Sequence, residues 1–293
     1  MNMREYLADW LLIHCADLKP RTAEQYNSLS KRYIMPVIGD ICVEDLVEHD
    51  IRHVLAPIIG SGHTRTAELV YVIIRAALGD LHRSDLMREI KRPHHRQHSP
   101  RPWSDADMRT YVSALWSHPH GLALSLGVLL GMRRGEICGL RWGDIDFANA
   151  EVHVCNQRVR LATGKIIDTT PKSETSERYI PVPEALLSRL YAARGLPTAY
   201  VDGISPEGLS KAHRKLVASL ALRYIPLHGL RHSFATSCVR HGADMRVLQI
   251  IMGHSSYYIT ANRYTQPDCE MLRSMMTNAY DACYNIQCNT AVH

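Results

Sequence analysis

Apolar residues recur through the first ninety positions with the period of a helix. Tyr6, Trp10 and Ile13 follow one another at spacings of four and three and predict a single apolar face. A break at Lys19-Pro20 precedes Thr22, a residue able to cap a second helix carrying Tyr26, Leu29 and Tyr33 on one side, which Pro36 and Gly39 then end. Leu46 to Leu55 and Ala67 to Leu78 predict two further helices, on either side of Gly60-Ser61-Gly62. Packed on their apolar faces, these helices make a small bundle over residues 1–90.

The pattern then changes. Residues 91–102, from Lys91-Arg92-Pro93 to Pro100-Arg101-Pro102, are polar, basic and proline-rich, the composition of a linker. Ser104 with Asp107 three positions on predicts a helix start, and helical spacing continues to about Leu140. Residues 151–160 and 165–167 alternate and carry Val and Ile, and Tyr179-Ile180-Pro181-Val182 completes a short strand. These predict one small antiparallel sheet with hairpins. Helical spacing returns at Glu184 and runs into a tail, 267–293, where Met271, Leu272, Met275 and Met276 form an apolar stripe. Such a stripe suits packing within the subunit and docking on a neighbour equally well. The expected fold class is mainly α with a small antiparallel β-sheet.

Composition narrows the class without deciding it. The chain has 293 residues, 46% of them hydrophobic, enough for a substantial core. No apolar run approaches the ~18 residues of a membrane-spanning helix, and Met1–Asp9 is too polar to begin a signal peptide, so a cytoplasmic protein with no membrane partner is expected. Eight cysteines lie scattered without a CxxC pair, which argues for free thiols rather than disulfides or a cysteine zinc site. His94, His95 and His98 lack a partner carboxylate and read as solvated linker residues, so neither a metal nor another cofactor is expected. Residues 1–100 carry 13 basic and 13 acidic side chains, so the whole formal charge of +5 lies in the remainder. That asymmetry suits a nucleic-acid partner.

Three segments carry candidate chemistry. Gly131-Met132-Arg133-Arg134-Gly135-Glu136 places Arg133 and Glu136 three apart, on one face of a predicted helix, where a carboxylate can fix a guanidinium and leave donors free. Pro171-Lys172-Ser173 sets a lysine on a turn, with Lys165 on the same predicted sheet as a second choice. Leu227-His228-Gly229-Leu230-Arg231-His232-Ser233 repeats the spacing of three with an imidazole and a guanidinium, and is followed by Gly253-His254 and Arg263-Tyr264-Thr265. An arginine fork matches two phosphate oxygens in a way that lysine cannot. Two arginines, a lysine, two histidines and a tyrosine suit phosphoryl transfer without a metal, because cations stabilise the charge that builds on the phosphorane-like transition state.

In chain order these segments resemble the tyrosine recombinase (phage integrase) family, with its R…K…HxxR…H…Y signature. The neighbourhoods agree as well: GxRxxE with Leu140-Arg141-Trp142-Gly143-Asp144 after it, Pro-Lys-Ser-x-x-Ser-x-Arg-x-Ile-Pro, and His-Gly-Leu-Arg-His-Ser-Phe-Ala-Thr. The resemblance implies a helical core-binding domain over 1–90, an α+β catalytic domain over 103–266, and a tail over 267–293 that is exchanged between protomers. It implies that Arg133 and Arg231 clamp a scissile phosphate, with Glu136 in support. Lys172 protonates the departing 5′ oxygen, His228 assists removal of the tyrosine proton, His254 bonds a phosphate oxygen, and Tyr264 attacks to give a 3′-phosphotyrosine. Tyr257 and Tyr258 lie close by but lack the Arg-Tyr-Thr context. The implied partners are double-stranded DNA and further copies of the chain in a tetrameric synapse, with room for an accessory DNA-bending or directionality factor. Integration or excision of a mobile element or phage is the expected role. Chromosome or plasmid dimer resolution, a relaxing topoisomerase of the same chemistry, and a catalytically inactive DNA-binding protein stay open.

Overall fold

The computed structural model of the chain describes residues 1–95, 101–170, 176–253 and 269–284. They fall into two compact units, the first of 1–99 with the short turn 161–164, the second of 100–160 and 165–293.

In the first unit, α1 (Met3–His14) starts on a capping box between Asn2 and Glu5 and buries Met3, Leu7, Trp10 and Leu11. Its inward face is therefore turned from the expected one: Tyr6 lies at its edge, while Ile13 is exposed. The second helix, α2 (Pro20–Leu29), begins at Pro20 itself with Lys19 as N-cap, so Thr22 does not cap it. Proline suits this position because its missing N–H has no partner to lose there. Nor does Pro36 end the helix. A π-helical turn, Ser30–Ile34, leads into α3 (Met35–Ile38), which holds Pro36 and stops at Gly39. The wider i→i+5 turn relieves the clash that a proline ring makes with a carbonyl four residues back. Helices α4 (Glu48–Gly60) and α5 (Thr64–Asp80) complete the bundle. The Tyr6 hydroxyl and the Trp10 indole tie α1 to Ala77 O and Asp80 Oδ2 on α5, each at 2.7 Å. His95 makes a 3.0 Å hydrogen bond with the Thr64 hydroxyl, and His98 lies outside the described residues.

The second unit is built around α7 (Gly121–Leu129), which is buried on every face. Around it lie α6 (Asp105–Leu115), with the expected Ser104–Asp107 capping box, and α8 (Arg134–Gly139). Residues 151–160 do not make one strand. Cys155-Asn156 breaks them into β2 (Glu151–Val154) and β3 (Gln157–Arg160), which join different sheets. The first sheet is antiparallel in the order β1 (Ile145–Asp146), β2, β5 (Arg178–Pro181), and the second is the hairpin of β3 with β4 (Ile166–Thr169). A Cβ on Gly139 would lie 2.8 Å from Gln157 Cα, so a glycine lets β3 lie directly on α8. Helices α9 (Glu184–Ala192), α10 (Pro206–Ser219), α11 (Leu227–Arg240) and α12 (Met245–Met252) follow. The tail helix α13 (Cys269–Tyr284) buries Met275, Met276 and Tyr280 in the core of its own unit. Among the described residues no helix is long and apolar enough to cross a membrane, and the described cysteines are free.

Candidate active site

The turn between α7 and α8 sets the first arginine. Gly131 holds φ 64°, and a Cβ there would come within 2.6 Å of Phe234 Cδ1, so only glycine fits. Arg133 follows as the N-cap of α8, in extended backbone at φ −74° and ψ 151°. It therefore stands just ahead of the helix rather than on a helical face with Glu136, and reaches the carboxylate from outside. Its backbone N–H donates to Glu136 Oε2 at 2.8 Å, and its Nη1 donates to Oε1 at 2.7 Å. The carboxylate occupies the first turn of α8, where the helix dipole also favours a negative charge.

Arg231, on α11, is buried to 1% exposure. It donates Nη1 to Gly131 O at 2.7 Å and Nη2 to Met252 O. His228 lies one turn earlier, at the start of the helix, with its ring edge-on to His232 at 4.8 Å. The fold thus brings together Arg133, Glu136, His228 and Arg231. Lys172, His254 and Tyr264 lie outside the described residues, as do Tyr257 and Tyr258. Lys165 is exposed, just before β4.

The arginine of the Pro-Lys-Ser-x-x-Ser-x-Arg motif joins the cluster as well. Arg178 opens β5, paired with Val154 of β2, and its side chain points into the protein. Its Nη1 and Nη2 donate to Glu136 Oε1 and Oε2 at 3.2 and 2.9 Å, and Nη1 also reaches Ser176 O at 2.9 Å. Strand alternation carries the signal for it, because position 178 shares its face with the buried Ile180. An arginine on an inward face needs a buried anion.

Three consecutive carbonyls at the end of α12 each meet a different one of these arginines. Ile251 O accepts from Arg178 Nε at 2.6 Å, Met252 O from Arg231 Nη2, and Gly253 O from Arg133 Nη2 at 2.7 Å. The last carbonyls of a helix have no partner within it and carry partial negative charge.

Those carbonyls are dipoles, not ions. Among the described residues, three guanidinium groups gather at one carboxylate, which leaves two positive charges in excess. Burial acts to raise the Glu136 pKa, but the charge and hydrogen bonds of Arg178, then those of Arg133, outweigh it and hold it down at about 2. Burial, with the like charge of Arg133 next, pushes the Arg231 guanidinium down. His228 is also pushed down, by burial first and then by His232, Arg231 and Arg133, which favours its neutral form. The pocket is short of negative charge, and an anion would relieve it.

Two family models match the chain. That of the phage integrase family matches residues 114–271, and that of the phage integrase central domain matches residues 3–78. A tyrosine recombinase XerC-like protein of Caldanaerobacter subterraneus subsp. tengcongensis is 27% identical over 210 residues, covering 61% of this chain and 52% of that protein. The chain thus spans about half the length of that relative. A putative prophage phiRv2 integrase of Mycobacterium tuberculosis is 25% identical over 273 residues, covering 86% of this chain and 71% of its own length. In fold, the Tn1549 transposon integrase, solved in complex with transposon right end DNA, superposes with a TM-score of 0.71 at 21% identity, over 94% of this chain and 98% of that one.

Proposed function

Because this chain belongs to the phage integrase family, we propose that it is a site-specific recombinase that breaks and rejoins double-stranded DNA through a 3′-phosphotyrosine on Tyr264. The observation that carries the reading is the cluster of Arg133 with the buried Arg178 and Arg231 at one buried carboxylate, with two positive charges in excess among the described residues. A phosphodiester supplies the missing anion, and arginine forks suit its two non-bridging oxygens.

In this reading the Tyr264 oxygen attacks phosphorus while its proton passes to the neutral His228. The bond from phosphorus to the 5′ oxygen breaks, and Lys172 protonates that oxygen as it leaves. Arg133 and Arg231 stabilise the charge on the transition state, with His254 bonding the same phosphate. The phosphotyrosine retains the energy of the broken bond, so a 5′ hydroxyl from a second duplex rejoins the strand without ATP, a metal or another cofactor.

The prophage integrase aligns along more of the chain, 86% against 61% for the XerC-like protein. That favours integration and excision of a mobile element over dimer resolution. The protein acts where the host DNA lies, in the cytoplasm. Copies of the chain assemble on DNA as a tetramer, exchanging the 267–293 tails, and an accessory bending or directionality factor assists.

Nicked duplexes of randomised sequence provide the test, since no target need be known beforehand. Incubation and denaturing separation should yield a covalent protein–DNA adduct whose modified peptide contains Tyr264. Modification at Tyr257 or Tyr258 would reassign the nucleophile, and no adduct with any sequence would remove the activity.

A further inference from the structure

Glu136 is held from two sides, and the two holds differ in kind. Arg178 spans both carboxylate oxygens with its fork, Nη1 to Oε1 and Nη2 to Oε2. Arg133 gives one side-chain nitrogen to Oε1 and its backbone N–H to Oε2. The bidentate partner is thus the arginine on β5, and the neighbour in sequence is held by one end of its guanidinium.

Burial separates them further. The Arg178 side chain is 4% exposed and that of Glu136 2%, whereas that of Arg133 is 33% exposed. Arg178 is too deep to meet a phosphate, and Arg133 stands at the surface of the cluster. We propose that Arg178 is a positioning residue for strand cleavage: by occupying the fork-binding geometry of Glu136, it keeps the carboxylate from neutralising Arg133 and leaves the remaining donors of that guanidinium for the scissile phosphate. This rests on the phosphoryl-transfer reading given above.

The charge balance makes the inference specific. With Arg178 present, one carboxylate is shared between two arginines and the cluster, among the described residues, keeps its surplus of two. Without Arg178, Glu136 can turn to grip Arg133 with both oxygens, because a fork facing a carboxylate prefers the bidentate arrangement. The surplus falls to one, and the donors meant for phosphate are spent. The Arg178 Nε bond to Ile251 O also fixes the last turn of α12 beside the same cluster, so a purely architectural role is the competing account.

The two accounts part on a charge-compensated pair of substitutions. Arg178→Met should slow single-turnover adduct formation on the randomised nicked duplexes by on the order of 10- to 100-fold, the size seen when groups that orient a charged ligand are removed. Affinity for intact duplex, set by many phosphate contacts, should change only a few-fold. Glu136→Gln combined with Arg178→Met removes the neutralising carboxylate as well and should recover most of the lost rate. Arg178→Lys, which keeps the charge but not the fork, should fall between the two.

A double variant as slow as Arg178→Met, with the same melting temperature as wild type, would overturn the proposal, as would Arg178→Met at full rate. A phosphorus NMR titration with inorganic phosphate separates this inference from the recombinase reading. Weakened phosphate binding in Arg178→Met that the double variant restores supports the inference even if no duplex is cleaved. Equal phosphate binding by all the variants overturns it even if wild type forms the adduct.

Discussion

Arg133 and Gly253 are joined by a 2.7 Å hydrogen bond from guanidinium to carbonyl, across 120 positions of sequence. Gly253 ends α12 in the left-handed region, at φ 60° and ψ 53°, and that turn aims its carbonyl at the arginine. A side chain in this conformation costs about 1–2 kcal/mol. Gly253→Ala should therefore lower Tm by about 2–4 °C per kcal/mol lost. It should also slow adduct formation by more than the reduced stability accounts for, because Arg133 loses its tether. Calorimetry beside a single-turnover assay measures both. A lower Tm with an unchanged rate would make the bond structural only.

The paired residues of this site differ in how far the sequence exposes them. Arg133 with Glu136, and His228 with Arg231, are three positions apart, so local spacing brings each pair into reach before any tertiary contact is known. Arg178 and Glu136 are 42 positions apart, and only the pairing of β5 with β2 brings them together. Similar physics explains the errors in the fold. The apolar alternation of 151–160 gives no warning of the break at Cys155-Asn156, since nothing local tells which partner strand each half will choose. The π-helical turn before Pro36 is likewise a tertiary accommodation, with Ile34 and Ile38 both fully buried around it.

Glu136 should make the protein's stability depend on acid in a defined way. Its folded pKa of about 2 lies below the ordinary 4.5, so folding favours its ionised form. That contribution is complete above pH 4.5 and is lost as pH falls toward about 2. Glu136→Gln leaves the buried Arg178 and the half-buried Arg133 short of their anion and should cost about 3 kcal/mol at neutral pH. Denaturant unfolding of the two proteins should converge as the acid range is entered. A gap that stays constant to the acid end would point to lost packing instead.

His228 should set the acid limb of the cleavage rate. As proton acceptor it must be neutral, and burial, then His232, Arg231 and Arg133, push it below the usual 6.5. The midpoint of the fall in rate should therefore lie below pH 6.5. Removing one like-charged neighbour, as in His232→Ala, should raise the His228 pKa and move the fall toward neutral pH. Single-turnover cleavage across pH measures this directly. An acid limb unmoved in His232→Ala, and still present in His228→Gln, would assign it to another group.

Lys172, outside the described residues, is the lysine expected to protonate the leaving oxygen, with the exposed Lys165, just before β4, as the alternative. A 5′ alkoxide is a poor leaving group and needs its proton in the transition state. Lys172→Ala should therefore slow cleavage of ordinary DNA by about a thousandfold, within the range of general acid catalysis. Sulfur in place of the bridging 5′ oxygen leaves readily as a thiolate without that proton. Most of the Lys172→Ala defect should disappear on such a substrate, while Arg231→Ala, which lacks charge stabilisation, should stay defective. If sulfur restores neither variant, Lys172 acts on the phosphate and not on the leaving group. If it restores Lys165→Ala instead, the acid is Lys165.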